Sequence, residues 1–451
     1  MLLPLINLHR WVNLFINRIL FYPILLAGIF VLTQTLHAQE LVLSGKIVHQ
    51  TTGSKVPFAN VGIKGTSIGT VSNDQGEFEL HFADQYLDDT LQVSCIGFFT
   101  FSVPIATVYQ QQPARLSILP RAYALKEVTI TPDELSAEYI VNKALLHIPD
   151  NYLSQSYLTD GFYREYFSEN GSYVGFAEAA VSIFDPIGYP LNMHKASETI
   201  KVNQLRVSDI YNKGNYVLYI DLNYALRANL IRNADFWQEF AKQAKSSVVQ
   251  LQIDSIAYYD EDLVYCIGYK IESKRAGSFE GRLFIRKNDY AVLRLELNAL
   301  NEMEGREENG APYESSTVMT YKDYHGKLYL HYAKASHDVT YYDEGQKYDL
   351  AFYSELTITN LQPMKVSPLP EAGKIKPTSI FYQPRYRTFD PDFWQTYSLF
   401  EKSPHNRQII ADLEQKRPLK EQYPANGKLK LKRNEPFNST GSNYYPHNTG
   451  Y

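Results

Sequence analysis

Short alternating strands separated by glycine-bearing turns fill residues 45–98, and they constrain this chain more than any other feature. The segment reads SGKIVHQTTGSKVPFANVGIKGTSIGTVSNDQGEFELHFADQYLDDTLQVSCIGF from Ser44. Strands are expected at 41–48, 59–63, 70–71, 77–82, 90–95, 98–103 and 114–119. Thr52-Gly53, Lys64-Gly65, Asn73-Asp74-Gln75-Gly76 and Asp88-Asp89 punctuate them. Turns with positive φ favour Gly or Asn. Short strands at near-regular spacing predict a small β-sandwich. Within 77–82, Phe78, Leu80 and Phe82 face one way and Glu77, Glu79 and His81 the other.

The preceding 38 residues have the composition of a secretory signal. Arg10 and Arg18 form its positive region, 21–32 its apolar core, and Leu36-His37-Ala38 its small-residue cleavage site. Cleavage after Ala38 would leave Gln39 as the mature start. The apolar run is shorter than the roughly 20 residues that span a bilayer, so a retained anchor is the alternative reading. No cysteine follows the site, which argues against a lipid anchor there. Cys95 and Cys266 are the only cysteines and are read as buried free thiols. A net charge of -5 provides no overall attraction to nucleic acid or anionic membrane.

Beyond 124 the pattern changes. Thr131, Pro132 and Glu134 form an N-terminal cap for a helix with Leu135, Ile140, Val141, Ala144, Leu145 and Ile148 on one face, which Pro149 stops. From 152 to 363 the strands lengthen. Pairs at 255–259 with 264–273, 279–286 with 291–298, 316–324 with 327–336, and 338–342 with 347–360 predict an antiparallel meander. Tyr265, Ile267, Tyr269 and Ile271 share a face. Leu283, Ile285, Leu293, Leu295 and Leu297 oppose Arg282, Phe284, Arg286, Arg294 and Glu296. Thirty-six tyrosines against three tryptophans suit half-buried strands. Asn233 is placed to cap a helix with Phe236, Trp237, Phe240 and Ala244 inward. Asp390-Pro391 and Ser403-Pro404 start two further helices, the first through Phe393, Trp394 and Phe400, the second through Ile409, Ile410 and Leu413. After Pro418 the chain turns polar and carries a basic run at 428–433; it is read as disordered.

Two resemblances sharpen this picture. Residues 44–48, 57–61, 65–70, 73–78 and 95–98, in that order, resemble the carboxypeptidase-regulatory-like domain, a transthyretin-like sandwich common at the front of exported Bacteroidetes proteins. Leu125-Lys126-Glu127-Val128 resembles an element that often follows it. Gly161-Phe162-Tyr163-Arg164-Glu165, Glu178-Ala179 and the stretch 258–297 resemble the half-open barrel of periplasmic lipoprotein carriers. The expected fold is therefore mainly β: an N-terminal prealbumin- or immunoglobulin-like sandwich, then a large curved antiparallel sheet, a half-open barrel, with packed helices. The expected organisation is a signal peptide at 1–38, sandwich at 39–124, linker with helix at 125–151, half-barrel at 152–363, helical segment at 364–417 and disordered basic tail at 418–451.

Catalytic chemistry finds no anchor. The only H-x-x-E is His37-Ala38-Gln39-Glu40, which straddles the cleavage site, so zinc-peptidase ligands are not in place. His325, His331 and His337 recur every six residues and are read as a solvated face. No G-x-S-x-G, phosphate loop or dinucleotide fingerprint occurs. Asp260-Glu261-Asp262 and the carboxylates of 302–308 are read as solvated turns. No catalytic, metal or cofactor residue is assigned. The leading expectation is a non-catalytic exported binding or scaffold protein, with the sandwich as interaction module and an envelope protein as partner. The alternative is a carrier of a lipid, acylated protein or other hydrophobic ligand in the half-barrel; a hydrolase ranks behind both. The address expected is the periplasm, in association with the outer membrane.

Overall fold

The computed structural model describes residues 40–121, 136–189, 198–211, 213, 226, 229, 231–232, 248–273, 277–301, 313–343, 345–363, 368–369, 374–375, 389–397 and 406–426. The leader with Arg10, Arg18, Ala38 and Gln39 lies outside them. So do the cap at Thr131, the segment Asn233–Ala244, Ser403-Pro404 and the run 428–433.

The N-terminal unit contains β1 (Glu40–His49), β2 (Asn60–Ile63), β3 (Gly69–Val71), β4 (Glu77–Ala83), β5 (Thr90–Ser94), β6 (Phe101–Pro104) and β7 (Ala114–Ile118), with a short helix α1 (Ile105–Tyr109). Two sheets form, ordered β4-β1-β7 and β3-β2-β5-β6. Leu43, Ile47, Val61, Phe78, Leu80, Leu91, Val93 and Leu116 belong to one core of this unit. The turn chemistry is as the sequence requires. The Asn73 side chain accepts from the amides of Gln75 and Glu77, both at 2.9 Å. Gly76 has φ +76°, and a Cβ there would sit 2.6 Å from the Ile47 carbonyl oxygen. Strand β6 begins three residues later than expected, because Phe98 donates back to the Cys95 carbonyl in a turn through Gly97.

The second unit is one antiparallel sheet. Its strands are β8 (Tyr157–Glu169), β9 (Ser172–Asp185), β10 (Thr199–Val207), β11 (Val248–Tyr259), β12 (Asp262–Ser273), β13 (Gly277–Arg286), β14 (Val292–Asn301), β15 (Tyr313–Tyr324), β16 (Lys327–Asp343), β17 (Gln346–Pro363) and β18 (Lys374–Ile375). The order is β11-β12-β13-β14-β15-β16-β17-β8-β9-β10-β18, so β11 and β18 are edges and the sheet does not close. The meander β11 to β17 arises from serial hairpins, as expected. His325 and Gly326 both have positive φ, the mark of a two-residue hairpin turn. The same signal at Asn170-Gly171 (φ +51° and +80°) joins β8 to β9. Two strands expected at 327–336 and 338–342 are a single 17-residue strand, β16. His337, which lies between the two expected ranges, pairs with both Ser315 and Phe352 and interrupts nothing.

Helix α2 (Ala137–Leu146) is capped by Ser136, whose side chain accepts from the Tyr139 amide. Pro149 does not end the helical run: it lies in the first turn of α3 (Ile148–Asn151), where its missing N–H leaves no bond unmade. Ile140, Val141, Ala144 and Ile148 join Ile267, Leu283, Ile285, Leu295 and Met319 in the largest core. Helix α4 (Pro391–Tyr397) is preceded by Asp390, whose carboxylate accepts from the Asp392 amide at 2.9 Å. Helices α5 (Arg407–Leu413) and α6 (Leu419–Asn426) follow. The second of these corrects the expectation of disorder from Pro418. Leu419 and Tyr423 are buried with Ile409, Leu413 and Phe176, a four-residue spacing that a polar average conceals.

Candidate functional site

The two faces of the large sheet have different occupants. One carries α2 and a layer of tyrosines. Tyr152 donates to the Val292 carbonyl at 2.7 Å and stacks on Tyr189 with ring centroids 4.8 Å apart. Tyr321 donates to Asn229 at 2.8 Å, and Asn229 donates to the Tyr189 hydroxyl at 3.2 Å. Arg232, fully buried, lies 2.8 Å from Asp185 and 3.2 Å from Glu198. Among the described residues this face is covered by the protein's own side chains. The tyrosines are therefore core here, each hydroxyl given an internal partner, and burial raises the Tyr152, Tyr189 and Tyr321 hydroxyls above their usual range. A small cavity of about 10 Å³, lined by Phe58, Asn60, Cys95, Tyr259, Arg294 and Thr320 among others, has room for about one water.

The opposite face receives the sandwich. In-register pairing sets a row of alternating charge across five strands: Lys334 beside Glu355, Glu355 beside Arg164, Arg164 beside Glu178, and Glu178 beside Arg206. Arg164 Nε donates to Glu178 at 2.7 Å and Arg206 Nε to the other oxygen of the same carboxylate at 2.7 Å. Glu355 accepts from Arg164 at 3.3 Å, Tyr332 at 3.2 Å and Tyr353 at 3.0 Å. The sandwich adds the balancing anions. Glu79 on β4 is 3.6 Å from Arg164, and Asp74 pairs with Lys334. Burial would push the Glu178 carboxyl up, but Arg206 and then Arg164 outweigh it and hold it below its usual range. Burial wins at Glu355, which is raised despite Arg164.

Around this row the junction is dense. The His81 ring lies tilted against those of Tyr397 and Phe162, with centroids 4.5 Å and 6.2 Å away. Phe58 lies under the Arg294 guanidinium at 4.5 Å. Asn60 donates to Tyr259 at 2.9 Å, and the Gly97 amide donates to the Tyr258 carbonyl at 2.7 Å. The face of β4 opposite Phe78, Leu80 and Phe82 is thus an internal interface.

The sequence candidates fall as follows. Cys95 and Cys266 are free and buried, with the Cys95 thiol pushed up to about 11 by burial. The three histidines are not a solvated face: His325 sits in a turn, but His331 is fully buried at the junction and His337 is half-buried. The reason is a bulge opposite Thr320 and Tyr321, which lets His331 reach Asn60 while its neighbour Tyr332 packs on Phe58. Asp260-Glu261-Asp262 is a hairpin turn, yet it also binds the sandwich: Thr100 donates to Asp260, and Arg121 donates to the Asp260 carbonyl at 2.6 Å. The carboxylates of 302–308 lie outside the described residues. Among the described residues no group of three or more His, Cys, Asp or Glu could hold a metal, and no helix is long and apolar enough to cross a membrane. Nothing local in the sequence pairs Arg164 with Glu178; the signal that pairs them is the Asn170-Gly171 turn, which fixes the register of β8 on β9.

Residues 43–130 match the CarboxypepD_reg-like domain family. Over 82 residues, 18% of this chain, the sequence is 43% identical to the TonB-dependent receptor SusC of Bacteroides thetaiotaomicron; the chain spans 8% of that relative's length. Among solved structures, the chain is similar to an outer membrane lipoprotein-sorting protein domain from Vibrio parahaemolyticus (9% identity, 52% of this chain and 96% of that one, TM-score 0.23). It is also similar to a LolA superfamily protein from Nitrosomonas europaea (11% identity, 52% and 96%, TM-score 0.21). A third similarity is to the MucA/MucB complex of Pseudomonas aeruginosa (10% identity, 51% and 99%, TM-score 0.17). At these values the open antiparallel sheet rests on its own strand order. Its N-terminal partner is a sandwich matched by the regulatory-like family.

Proposed function

We propose that the protein is a non-catalytic binding or scaffold protein exported to the bacterial envelope, with a sandwich at 39–124 and an open sheet at 152–363 acting together. The observation that carries this reading is the division of surfaces. The sandwich uses one face to join the sheet, and the described helix-bearing face of the sheet is filled by tyrosines and α2. Among the described residues, what stays accessible on the sheet is strand edge. Edge strand β11 exposes Gln250, Gln252, Ile253, Asp254 and Ser255 over a 12-residue length, and open sheet edges recruit extended segments by backbone pairing. The leader composition and the sandwich's similarity to part of a TonB-dependent receptor support the address.

Chemical crosslinking in intact cells, followed by purification and mass spectrometry, tests the reading. Envelope proteins linked to β11 or to the sandwich edges are expected. A cytosolic location, or no crosslinked envelope partner, overturns it. Co-extraction of stoichiometric lipid would favour the carrier alternative instead.

A further inference from the structure

The most unusual chemistry outside the charge row lies where β15 and β16 meet the sandwich. Lys322 Nζ donates to the Ser67 carbonyl at 3.1 Å and the Ile68 carbonyl at 3.4 Å. His331, fully buried, places Nδ1 2.9 Å from Asn60 Oδ1. Asn60 turns its amide nitrogen to Tyr259, so its oxygen faces the histidine and Nδ1 carries the proton. Nε2 of His331 is buried without a hydrogen-bond partner among the described residues. The two basic side chains share one space: a Cβ on Gly69 would lie 2.7 Å from Lys322 Nζ and 3.3 Å from His331 Nε2. Only glycine at that position allows both to approach β3. The groups facing His331 are Asn60 from β2, Gly69 from β3, Lys322 from β15 and the Tyr329 ring on its own strand, 6.2 Å away. The charge acting on it is that of Lys322, with no compensating carboxylate among the described residues.

We propose that Lys322 and His331 form a proton-sensitive latch between the sandwich and the sheet: neutral His331 holds Asn60 and the sandwich docked, and a proton on His331 loosens that junction. A second cation beside Lys322, at the fully buried His331 position, has neither solvent contact nor a counter-ion among the described residues. The direction follows from linkage. Burial, then Lys322, hold the docked histidine below its usual value. Undocked, it returns toward about 6.5. The undocked form therefore binds the proton more tightly, and docking weakens as pH falls below about 6.5. Lys322, itself pulled down to about 8 by burial, is largely charged throughout this window. In the charge row Glu178 is held below its usual range and stays ionised in this window, whereas Glu355, raised by burial, takes up its proton with the opposite sign and favours the docked form. A loosening between pH of about 7 and 5 therefore belongs to the histidine. This inference does not depend on the proposed function.

Amide exchange of the full chain, corrected for intrinsic rates, reads the latch at the Gly97 amide and across β2 and β3. Protection there is expected to fall about tenfold or more between pH 7 and 5, because a single proton bound only by the undocked form shifts the docking balance up to about tenfold per pH unit. The β12–β14 core keeps its protection over the same range. His331→Gln should flatten that dependence, and Lys322→Met should shrink it. An unchanged pH dependence in both variants overturns the proposal. Should His331→Gln not fold, the imidazole resonance of His331 in the unaltered protein decides. Proton uptake coincident with loss of Gly97 protection supports the latch, and uptake with protection retained overturns it.

Discussion

Glu178 shows how much one residue can carry when register places it. It is fully buried between two guanidinium groups, Arg164 and Arg206, each hydrogen-bonded to a separate oxygen. Breaking such a buried pair leaves an uncompensated charge and costs about 3–5 kcal/mol. Glu178→Ala is therefore expected to lower the urea unfolding free energy at pH 7 by that amount. Because the folded carboxyl is held below its usual value, its contribution is present above the unfolded value of about 4.3 and disappears as pH falls through the folded one. Denaturation curves at pH 7 and 3.5 should then show a smaller difference between variant and parent in acid. Glu355 has the opposite sign: raised by burial, it opposes folding while ionised, and Glu355→Gln should cost less than Glu178→Ala at neutral pH. Charge at 164, 178 and 355 is plain in the sequence. Its pairing is not, because contacts across three strands depend on register.

At the scale of elements, glycine and short helices decide what alternation alone does not. Gly281 on β13 faces β14 so closely that a Cβ would lie 1.9 Å from the Glu296 carbonyl oxygen and 2.6 Å from the Tyr269 hydroxyl. Gly281→Ala must push the strands apart, at a cost of about 1–3 kcal/mol or more, visible as a lower melting temperature. Helix α6 makes a second test. Gln422 on it, fully buried, donates to the Leu413 carbonyl at 2.8 Å and accepts from the Asp209 amide at 2.8 Å. Tyr423→Ala should cost on the order of 3–5 kcal/mol, the usual range for removing a large buried aromatic ring; a change within experimental error would mean that the helix does not pack. The hairpins β11 to β17 were legible from period-two alternation and polar turns. Helix α6 was not, since Leu419 and Tyr423 stand among polar residues that leave its average polar.

For the whole molecule, the sandwich is a structural part of the sheet as much as an appendage. It supplies Glu79 to Arg164, Asp74 to Lys334 and His81 to the aromatic pair Phe162 and Tyr397. A chain lacking 40–121 should therefore unfold at lower denaturant than the second unit does within the full chain, with its largest loss of amide protection on β8, β16 and β17. The segment 40–121 carries its own core and should unfold cooperatively alone. Equal midpoints for the sheet with and without the sandwich would show that the junction contributes nothing to stability.

The sequence by itself determined what depends on neighbours along the chain. Period-two alternation and Gly, Asn and Asp turns specify the strands of the sandwich and the meander. The tertiary structure decided which face of each strand meets which partner. Glu79 and His81, on the polar face of β4, became interface residues because the large sheet lies against them. His331 became buried because one bulge in β16 turns it toward Asn60. Alternation states that two faces differ; only packing states what covers each one.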